Sequence, residues 1–405
     1  MLHSKKLPKR ILFSYITSLN TFYTIIVNMS SFSHKTVFVG MSGGVDSSVA
    51  AHLLVEQGYD VVGVFMKCYN IDGCAEADAE DARRVAEHIS IPFYVWDFEQ
   101  EYKDRVVQYM IEGYRAGITP NPDVMCNREI KFGLFLEKAL ASGADYVATG
   151  HYVRLKSEAT DAKPRAIHKS QNVIYKLYQA ADSNKDQSYF LWTLGQRQLA
   201  HCLFPIGGYE KPRVREIARA AELPTAEKKD SQGICFLGKF SLDDFLKQYI
   251  PEHRGALVTT AGENIGEHSG AEFYTIGQRH IDADFAFPKT GVAGAGRKPL
   301  YVASKDAATN TVTLAEGSDD PALYRSEVML TQVNFISGAT PKDGAELHVC
   351  ARVRYRQPLS DANLSNLENG NYTLAFVAPQ KFVAEGQSAV FYGKNGEMLG
   401  GGVIL

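Results

Sequence analysis

The stretch from Gly40 to Ser48 reads Gly-Met-Ser-Gly-Gly-Val-Asp-Ser-Ser, and it decides the fold of the first half of the chain. It joins Thr36–Gly40, an apolar run typical of a short buried strand, to Ser47–Gln57, which has the apolar spacing of a helix. Two adjacent glycines let the backbone turn tightly and present its N–H groups, and the start of the helix adds partial positive charge. The stretch therefore predicts an anion-binding loop at the carboxyl end of a strand, where open α/β sheets bind ligands.

The hydroxyl groups of this loop favour phosphate binding over the plain alternative of a glycine-rich turn. Ser42, Ser47 and Ser48 add three hydroxyl donors to the two glycines. The loop is not a Walker A loop, because no Gly-Lys-Ser/Thr follows, and it is not Gly-x-Gly-x-x-Gly either. Its Ser-Gly-Gly-x-Asp-Ser pattern resembles the pyrophosphate loop of the adenine-nucleotide alpha-hydrolases, which split ATP into AMP and pyrophosphate.

Strands and helices alternate outward from the loop. Apolar runs predict further strands at Val61–Met66, Phe93–Trp96 and Tyr146–Thr149. Helical spacing predicts helices at Glu76–His88, Tyr102–Tyr114, Ile130–Leu140, Gln196–Cys202 and Val214–Ala221. Residues 161–172 are polar and are expected to form a loop. Helices of this length between strands indicate βαβ units and a parallel sheet, so the first half is expected to be an α/β domain.

The pattern changes after about Pro224, where glycine and short β-branched runs dominate. Period-two alternation or β-branched composition predicts strands at Glu346–Arg356, Tyr372–Val377 and Ser388–Tyr392. Asn395-Gly396 is a strong signal for a hairpin turn. The end of the chain is therefore expected to be a small antiparallel barrel or sandwich.

Charge limits how this chain can bind nucleic acid. It has 46 acidic and 43 basic residues, which gives a formal charge of −3, so it is not a bulk polycation and needs a local basic patch. Period-two spacing predicts that Arg352, Arg354 and Arg356 share one side of a strand. That face is either a basic stripe for phosphate contact or an ordinary solvated strand surface.

These patterns divide the 405 residues into four segments. We expect an extension outside the fold at residues 1–34, the α/β domain at 35–225, a middle domain at 226–300 and the antiparallel barrel at 301–405. The apolar part of the extension, Ile11–Val27, is too interrupted for a membrane span. The extension is acid-free and basic, so it is interpreted as non-structural or as an organelle transit peptide. The expected location is the cytoplasm, or an organelle matrix in the second case.

Two of the six cysteines have marked surroundings. Cys126 follows Asn121-Pro122-Asp123, near the start of a predicted helix and close to two basic side chains, which favours its thiolate. Asp123 is either the N-cap of that helix or a proton acceptor or relay at a base edge. Cys235 lies between two glycines in Gly-Ile-Cys-Phe-Leu-Gly, which suggests a mobile segment, although a single cysteine is more often a small buried apolar residue.

With these segments together, the chain resembles the tRNA-specific 2-thiouridylase family over about residues 36–405. The matching segments in the first half are GMSGGVDSSVAA (40–51), FMK (65–67), TPNPDVMCNREIKF (119–132), ATGHYVR (148–154) and DSNKDQSYFL (182–191). Those in the second half are KKDSQGICFLG (228–238), IGQR (276–279), RYRQ (354–357) and GQSAVFY (386–392). The resemblance implies an adenine-nucleotide alpha-hydrolase-like parallel-sheet domain, a small middle domain and a C-terminal antiparallel β-barrel that binds tRNA.

The resemblance also implies roles for single residues. ATP would be bound by Gly40, Met41, Ser42, Gly43, Gly44, Val45, Asp46, Ser47, Met66 and Gly150. The target uridine would meet Asn121, Pro122 and Asp123. Cys235 would carry sulfur as a persulfide received from a sulfur-relay protein or cysteine desulfurase, and Cys126 would close a transient disulfide with it. The tRNA would be contacted by His151, Lys185, Asp186, Gln187, Arg354, Tyr355 and Gln387.

The implied reaction is chemically coherent. The C2 oxygen of uracil is a poor leaving group, and adenylation of the wobble uridine makes it part of a phosphate, so a sulfur nucleophile can expel AMP. Mg²⁺ is expected with ATP, although only Asp46 suggests itself as a ligand and none is assigned. Two other interpretations stay open: an ATP-dependent amidotransferase or ligase, such as a tRNA lysidine synthetase, which needs no cysteine pair, and an RNA-binding adaptor that retains a nucleotide site.

Overall fold

The computed structural model describes residues 35–69, 73, 75–159, 173–229, 240–281, 283–285, 298–341, 344–367 and 370–405. The predicted extension at 1–34, the predicted loop at 161–172 and Cys235 lie outside the described residues. Within the described part, no helix is both long enough and apolar enough to cross a membrane.

The first sheet is parallel, as the alternating pattern predicts. Its strands are β1 Thr36–Gly40, β2 Asp60–Lys67, β3 Phe93–Asp97, β4 Tyr146–Thr149 and β7 Cys202–Leu203. They lie in the order β3-β2-β1-β4-β7, so β1 is hydrogen-bonded to β2 on one side and to β4 on the other. The strand order reverses between β1 and β4. Sheets of this kind bind ligands in the crevice that such a reversal leaves outside the carboxyl ends of the strands.

Helices cover this sheet at or near the predicted places, and the helix predicted at Ile130–Leu140 begins earlier, at Pro122. Short and regular ones are α1 Val45–Glu56, α2 Ala75–His88, α5 Gln196–Leu199 and α6 Lys211–Ala220. Two longer ones contain a π-helical turn: α3 consists of Glu99–Tyr102, Lys103–Val107 and Gln108–Arg115, and α4 of Pro122–Cys126, Asn127–Leu134 and Phe135–Ala141. The predicted helix at 196–202 is shorter because its last residue, Cys202, pairs in β7 instead.

The middle of the chain forms a second sheet. Its strands are β8 Gly255–Thr259, β9 Asn264–His268, β10 Asp284–Phe285, β11 Leu300–Asp306 and β12 Thr311–Glu316, in the order β10-β9-β8-β12-β11, with helix α7 Leu242–Leu246 ahead of them. The expected domain boundary at residue 300 falls at the start of β11, which pairs within this sheet. We therefore place the change of domain between Glu316 and Tyr324.

The end of the chain is a closed antiparallel barrel. Its strands are β13 Tyr324–Phe335, β14 Glu346–Arg352, β15 Ser360–Asn366, β16 Tyr372–Lys381, β17 Ser388–Tyr392 and β18 Glu397–Ile404. The sheet closes because β13 pairs with both β16 and β18. Asn395-Gly396 forms the predicted turn between β17 and β18, with Gly396 at φ +78°.

A hairpin from the α/β half joins this barrel sheet. Strands β5 Arg154–Ala159 and β6 Val173–Tyr178 pair with each other, and β6 also pairs with β18 through Tyr178 opposite Glu397. Beside it, the indole Nε1 of Trp192 donates a hydrogen bond to the Ser388 hydroxyl at 3.0 Å. The α/β half and the barrel therefore share both a sheet and a core.

The predicted arginine stripe is wrong. Strand β14 ends at Arg352, and the chain then turns, with Arg356 at φ +63°. The Arg352 side chain points inward, where its guanidinium lies over the Tyr392 ring and 3.2 Å from the Asp186 carboxylate. Arg352 is buried because it pairs with a buried carboxylate from the other half of the chain. Local periodicity does not predict such a distant partner.

Candidate nucleotide and thiol site

The loop after β1 is held in shape by its own hydroxyl groups. The Ser42 amide donates to the Ser47 hydroxyl at 3.1 Å, and that hydroxyl donates to the Gly44 carbonyl at 3.1 Å. Gly44 is the N-cap of α1 and has no side chain with which to cap it. The first amides of α1 are therefore available to a bound anion, as the sequence predicts.

Three glycines let other parts of the chain approach this loop. A Cβ at Gly150, just after β4, would lie 2.6 Å from the Ser47 nitrogen. A Cβ at Gly40 would lie 2.9 Å from the Met66 Cε, and Gly43, at φ +73°, lies against the Asp78 carbonyl. The structure thus brings the predicted nucleotide-binding residues Gly40–Ser47, Met66 and Gly150 together at the carboxyl ends of β1, β2 and β4.

Asp46 has a partner that sequence analysis missed. The Lys211 ammonium, at the start of α6, lies 2.8 and 2.9 Å from its two carboxylate oxygens, and the Tyr152 hydroxyl donates to it at 2.7 Å. Lys211 is 9% exposed and comes 165 positions after Asp46. The only local signal was a Lys-Pro pair at a helix start, which is too common to single out.

The nucleotide loop offers one carboxylate to a metal ion. Among the described residues, no group of three or more histidine, cysteine, aspartate or glutamate side chains is arranged to hold a metal ion. Asp46 is the one carboxylate of the loop itself. This fits Mg²⁺, which is commonly held by one or two carboxylates together with substrate phosphates.

The helix that carries Cys126 begins with a side-chain cap. The Asn121 Oδ1 accepts a hydrogen bond from the Val124 amide at 3.2 Å, and Pro122 occupies the first turn. Asn121, not Asp123, is therefore the N-cap, so the structural interpretation of Asp123 is wrong. Cys126 closes the first segment of α4 and is 8% exposed.

Electrostatics link this helix to the nucleotide loop. Burial raises the pKa of Asp123, and the nearby Lys131 ammonium partly offsets this effect. Burial holds the pKa of His151 well below its usual value, and Lys131 lowers it further. The ring centroid of Phe132, on α4, lies 5.8 Å from that of His151, which places α4 beside the residue that follows Gly150.

His151, predicted to contact tRNA, lies inside the protein. Its Nδ1 is 2.8 Å from the Thr149 hydroxyl, and its ring packs against Phe132 and Phe204. The residue is 7% exposed. With a lowered pKa and aromatic neighbours, it is a neutral side chain that joins β4 to α4.

The polar segment 185–187, also predicted to contact tRNA, has partners inside the protein. The Asp186 carboxylate accepts from the Ala180 and Ser188 amides at 3.2 Å and pairs with Arg352. The Gln187 Oε1 accepts from the Tyr152 amide at 3.0 Å. The predicted tRNA contacts of Asp186 and Gln187, like that of Lys185, stay predictions.

The remaining predicted tRNA contacts lie on the barrel. Arg354 is partly exposed, and burial of the rest of its side chain lowers its pKa. The centroid of the Tyr355 ring lies 4.5 Å from that of the Phe190 ring. The Gln387 amide donates to the carbonyls of Thr119 and Pro120 at 3.0 and 3.1 Å. Of these side chains, Gln387 lies directly against the residues that precede α4.

The chain that leads to Cys235 is anchored at the nucleotide loop. The Thr225 hydroxyl donates to the Ser48 hydroxyl at 2.9 Å. The Lys228 ammonium lies 2.7 Å from Asp78 and 2.6 Å from Asp81, on the helix that touches Gly43. Residues up to 229 are thus fixed beside the loop, and Cys235 follows outside the described residues.

Comparisons with known proteins agree over residues 35–404. Three family models match: tRNA methyl transferase HUP domain at residues 35–239, tRNA methyl transferase PRC-barrel domain at 243–316, and aminomethyltransferase beta-barrel domain at 325–404. A solved NMN synthetase from Francisella tularensis is 17% identical, with a TM-score of 0.32, over 54% of this chain and 74% of that one. The fold assignment therefore rests on the family models and on the strand order itself.

Curated relatives match at much higher identity. The tRNA-specific 2-thiouridylase MnmA 2 of Geobacillus kaustophilus is 46% identical over 93% of this chain and 96% of its own length. The tRNA-specific 2-thiouridylase MnmA of Christiangramia forsetii is 42% identical over 91% of this chain and 100% of its own. With this identity over nearly the full length of both chains, the protein belongs to the tRNA-specific 2-thiouridylase family of tRNA-modifying sulfurtransferases.

Proposed function

We propose that this protein uses ATP to replace the C2 oxygen of a tRNA wobble uridine with sulfur. The observation that carries the proposal is the joint placement of the phosphate-type loop and the start of α4. A Cβ at Gly150 would contact Ser47 of the loop, His151 follows Gly150, and the His151 ring lies 5.8 Å from that of Phe132 of α4, centroid to centroid. A base presented to Asn121–Asp123 would therefore lie near the α-phosphate of a nucleotide held by the loop.

In the first step, the uracil C2 oxygen attacks the α-phosphate of ATP, and pyrophosphate leaves. The amides at the start of α1 and the nearby Lys211 ammonium stabilise the negative charge of the phosphates. Mg²⁺, when bound with ATP and held by Asp46, would neutralise phosphate charge. Asp123 exchanges a proton with the base edge, and its raised pKa brings it closer to the pH at which such a group works well.

In the second step, the terminal sulfur of a persulfide on Cys235 attacks C2 and AMP leaves. The Cys126 thiolate then attacks the Cys235 sulfur, which breaks the S–S bond, forms a Cys126–Cys235 disulfide and releases the thiolated base. An external two-electron reductant must reopen this disulfide. The sulfur itself would come from a persulfide-carrying relay protein or a cysteine desulfurase.

The anchored chain before Cys235 supports this step. Lys228 is fixed beside the nucleotide loop by Asp78 and Asp81. Cys235 follows it by seven residues. A chain of that length spans at most about 24 Å, which allows Cys235 to reach the nucleotide loop beside which Lys228 lies.

The deciding experiment is thiolation of a wobble-uridine tRNA in vitro with ATP, Mg²⁺ and a persulfide donor, read by mass spectrometry of the nucleosides. We expect 2-thiouridine and stoichiometric AMP from the wild type, and none from Cys126→Ser or Cys235→Ser with the persulfide donor. The matched control is Cys350→Ser, which changes a partly exposed barrel cysteine.

Three outcomes would overturn the proposal. Full tRNA-dependent turnover of ATP by Cys235→Ser would favour the amidotransferase or ligase interpretation. ATP binding without tRNA-dependent pyrophosphate release would favour an adaptor. Sulfur incorporation by the double variant Cys126→Ser/Cys235→Ser would show that the thiols are not the sulfur carriers.

A further inference from the structure

A loop of the barrel holds the chain just ahead of the reaction turn. The loop joins β16 to β17 and contains Glu385-Gly386-Gln387. It is fixed within the barrel by β18, because Gly386 donates to the Ile404 carbonyl at 2.9 Å and the Ile404 amide donates to Gln387 at 2.8 Å. Its position therefore follows that of the barrel.

Three hydrogen bonds connect this loop to Thr119 and Pro120. The Thr119 amide donates to the Glu385 carbonyl at 2.8 Å. The Gln387 Nε2 donates to the carbonyls of Thr119 at 3.0 Å and Pro120 at 3.1 Å. Gly386, at φ +85°, lies so close that a Cβ there would be 3.0 Å from the Thr119 oxygen.

The other side of this segment is also tightly packed. Pro120 lies against Gly113 of α3, where a Cβ would be 2.8 Å from the Pro120 Cγ. Thr119 is 5% exposed, and the next residue after Pro120 is Asn121, the N-cap of α4. Two prolines, at 120 and 122, restrict the backbone between Thr119 and Asp123. Movement of Thr119 and Pro120 would therefore move Asn121 and Asp123.

We propose that Gln387 is a positioning residue that sets the place of Asn121–Asp123 from the barrel. The inference rests on the proposed function, in which that turn meets the target uridine. The Gln387 amide nitrogen donates to both carbonyls, so it is engaged inside the protein. The barrel thereby contributes to the chemical step as well as to tRNA binding.

The test compares Gln387→Asn with the same change at Gln332, an exposed barrel residue. Shortening the side chain by one methylene withdraws the amide from the two carbonyls. We expect Gln387→Asn to lower kcat for thiolation about tenfold or more, because small misplacements of reacting groups are costly. The KM and Kd for tRNA and the Kd for ATP should stay within about twofold of wild type. Gln332→Asn should match the wild type in every measurement.

Hydrogen–deuterium exchange of the peptide 119–134 supplies a readout that needs no activity. Gln387→Asn should speed exchange there and leave the β1–α1 peptide unchanged. Gln387→Glu, which puts a carboxylate against two carbonyls, should speed it further. Melting temperatures show whether each variant folds.

The outcomes separate the two hypotheses. Weaker tRNA binding with unchanged kcat and unchanged exchange would overturn the inference and support a direct RNA contact by Gln387. A wild type that makes no 2-thiouridine would overturn the proposed function. In that case exchange alone decides whether Gln387 holds the turn.

Discussion

Arg352 and Asp186 form a buried ion pair across the junction of the barrel and the α/β half, with a guanidinium nitrogen 3.2 Å from a carboxylate oxygen. The two side chains are 6% and 1% exposed. Asp186 also accepts hydrogen bonds from two backbone amides, which fixes its carboxylate. The pair therefore joins the end of β14 in the barrel to the α/β half in a region that is shielded from water.

Removing one partner of this pair should destabilise the whole protein. Asp186→Ala leaves Arg352 buried without its counter-ion, which typically costs about 3–5 kcal/mol. The free energy of unfolding from urea titration measures this loss. Arg356→Ala, at an exposed position nearby, should change it by less than about 0.5 kcal/mol. Equal effects of the two changes would contradict the structural role of the pair.

The approach of Gly150 to the nucleotide loop can be tested with a methyl group. Gly150→Ala would place a Cβ 2.6 Å from the Ser47 nitrogen and 2.8 Å from the Asp46 carbonyl carbon. Displacing the loop should weaken ATP binding about 10- to 100-fold, as measured by calorimetry. Gly208→Ala is the matched control, because a Cβ there meets no atom within 4 Å among the described residues. Unchanged affinity in Gly150→Ala would place ATP elsewhere.

Lys211 should matter for the nucleotide although it is not in the loop. Lys211→Met removes a cation and leaves the Asp46 carboxylate, which then repels phosphate. We expect the Kd for ATP to rise about tenfold, and Lys211→Arg to restore part of the affinity. Arg213→Met, on the exposed side of the same helix, is the control. Tighter ATP binding in Lys211→Met would show that the lysine competes with the nucleotide's metal for Asp46.

Lys305 makes the stability of the middle domain depend on pH. Burial lowers the pKa of Lys305, whose ammonium donates to the Tyr274 carbonyl at 2.6 Å, from 10.5 to about 8. Below about pH 8 the folded protein bears the full cost of a buried charge. Between about pH 8 and 10.5 the unfolded chain binds more protons than the folded one, so this contribution makes stability rise with pH.

Lys305→Met should remove that dependence. Unfolding titrations of wild type and variant between pH 7 and 11 give the difference in stability at each pH. We expect the free energy of unfolding of the wild type to increase relative to that of the variant as the pH rises through this window. A difference that is constant over the range would show that the lysine titrates normally.

Local sequence carried much of the fold and part of the site. The nucleotide loop, the alternating first half and the Asn395-Gly396 turn depend on neighbours in the sequence, so their patterns are visible there. The inward turn of Arg352, the Asp46–Lys211 pair and the β6–β18 pairing depend on contacts between distant residues. No periodicity encodes such contacts, so the local sequence predicts an arginine stripe that does not form and gives no signal for Lys211.

The pairing of β6 with β18 has a consequence for truncated forms of this protein. A fragment ending near residue 225 would keep the nucleotide loop and Cys126 but would leave the outer edge of β6 bare and Trp192 facing water. Open strand edges and uncovered aromatic rings promote aggregation. The nucleotide-binding half is therefore expected to need its distant C-terminus to remain in solution, and co-expressing the two pieces should rescue a fragment that precipitates alone.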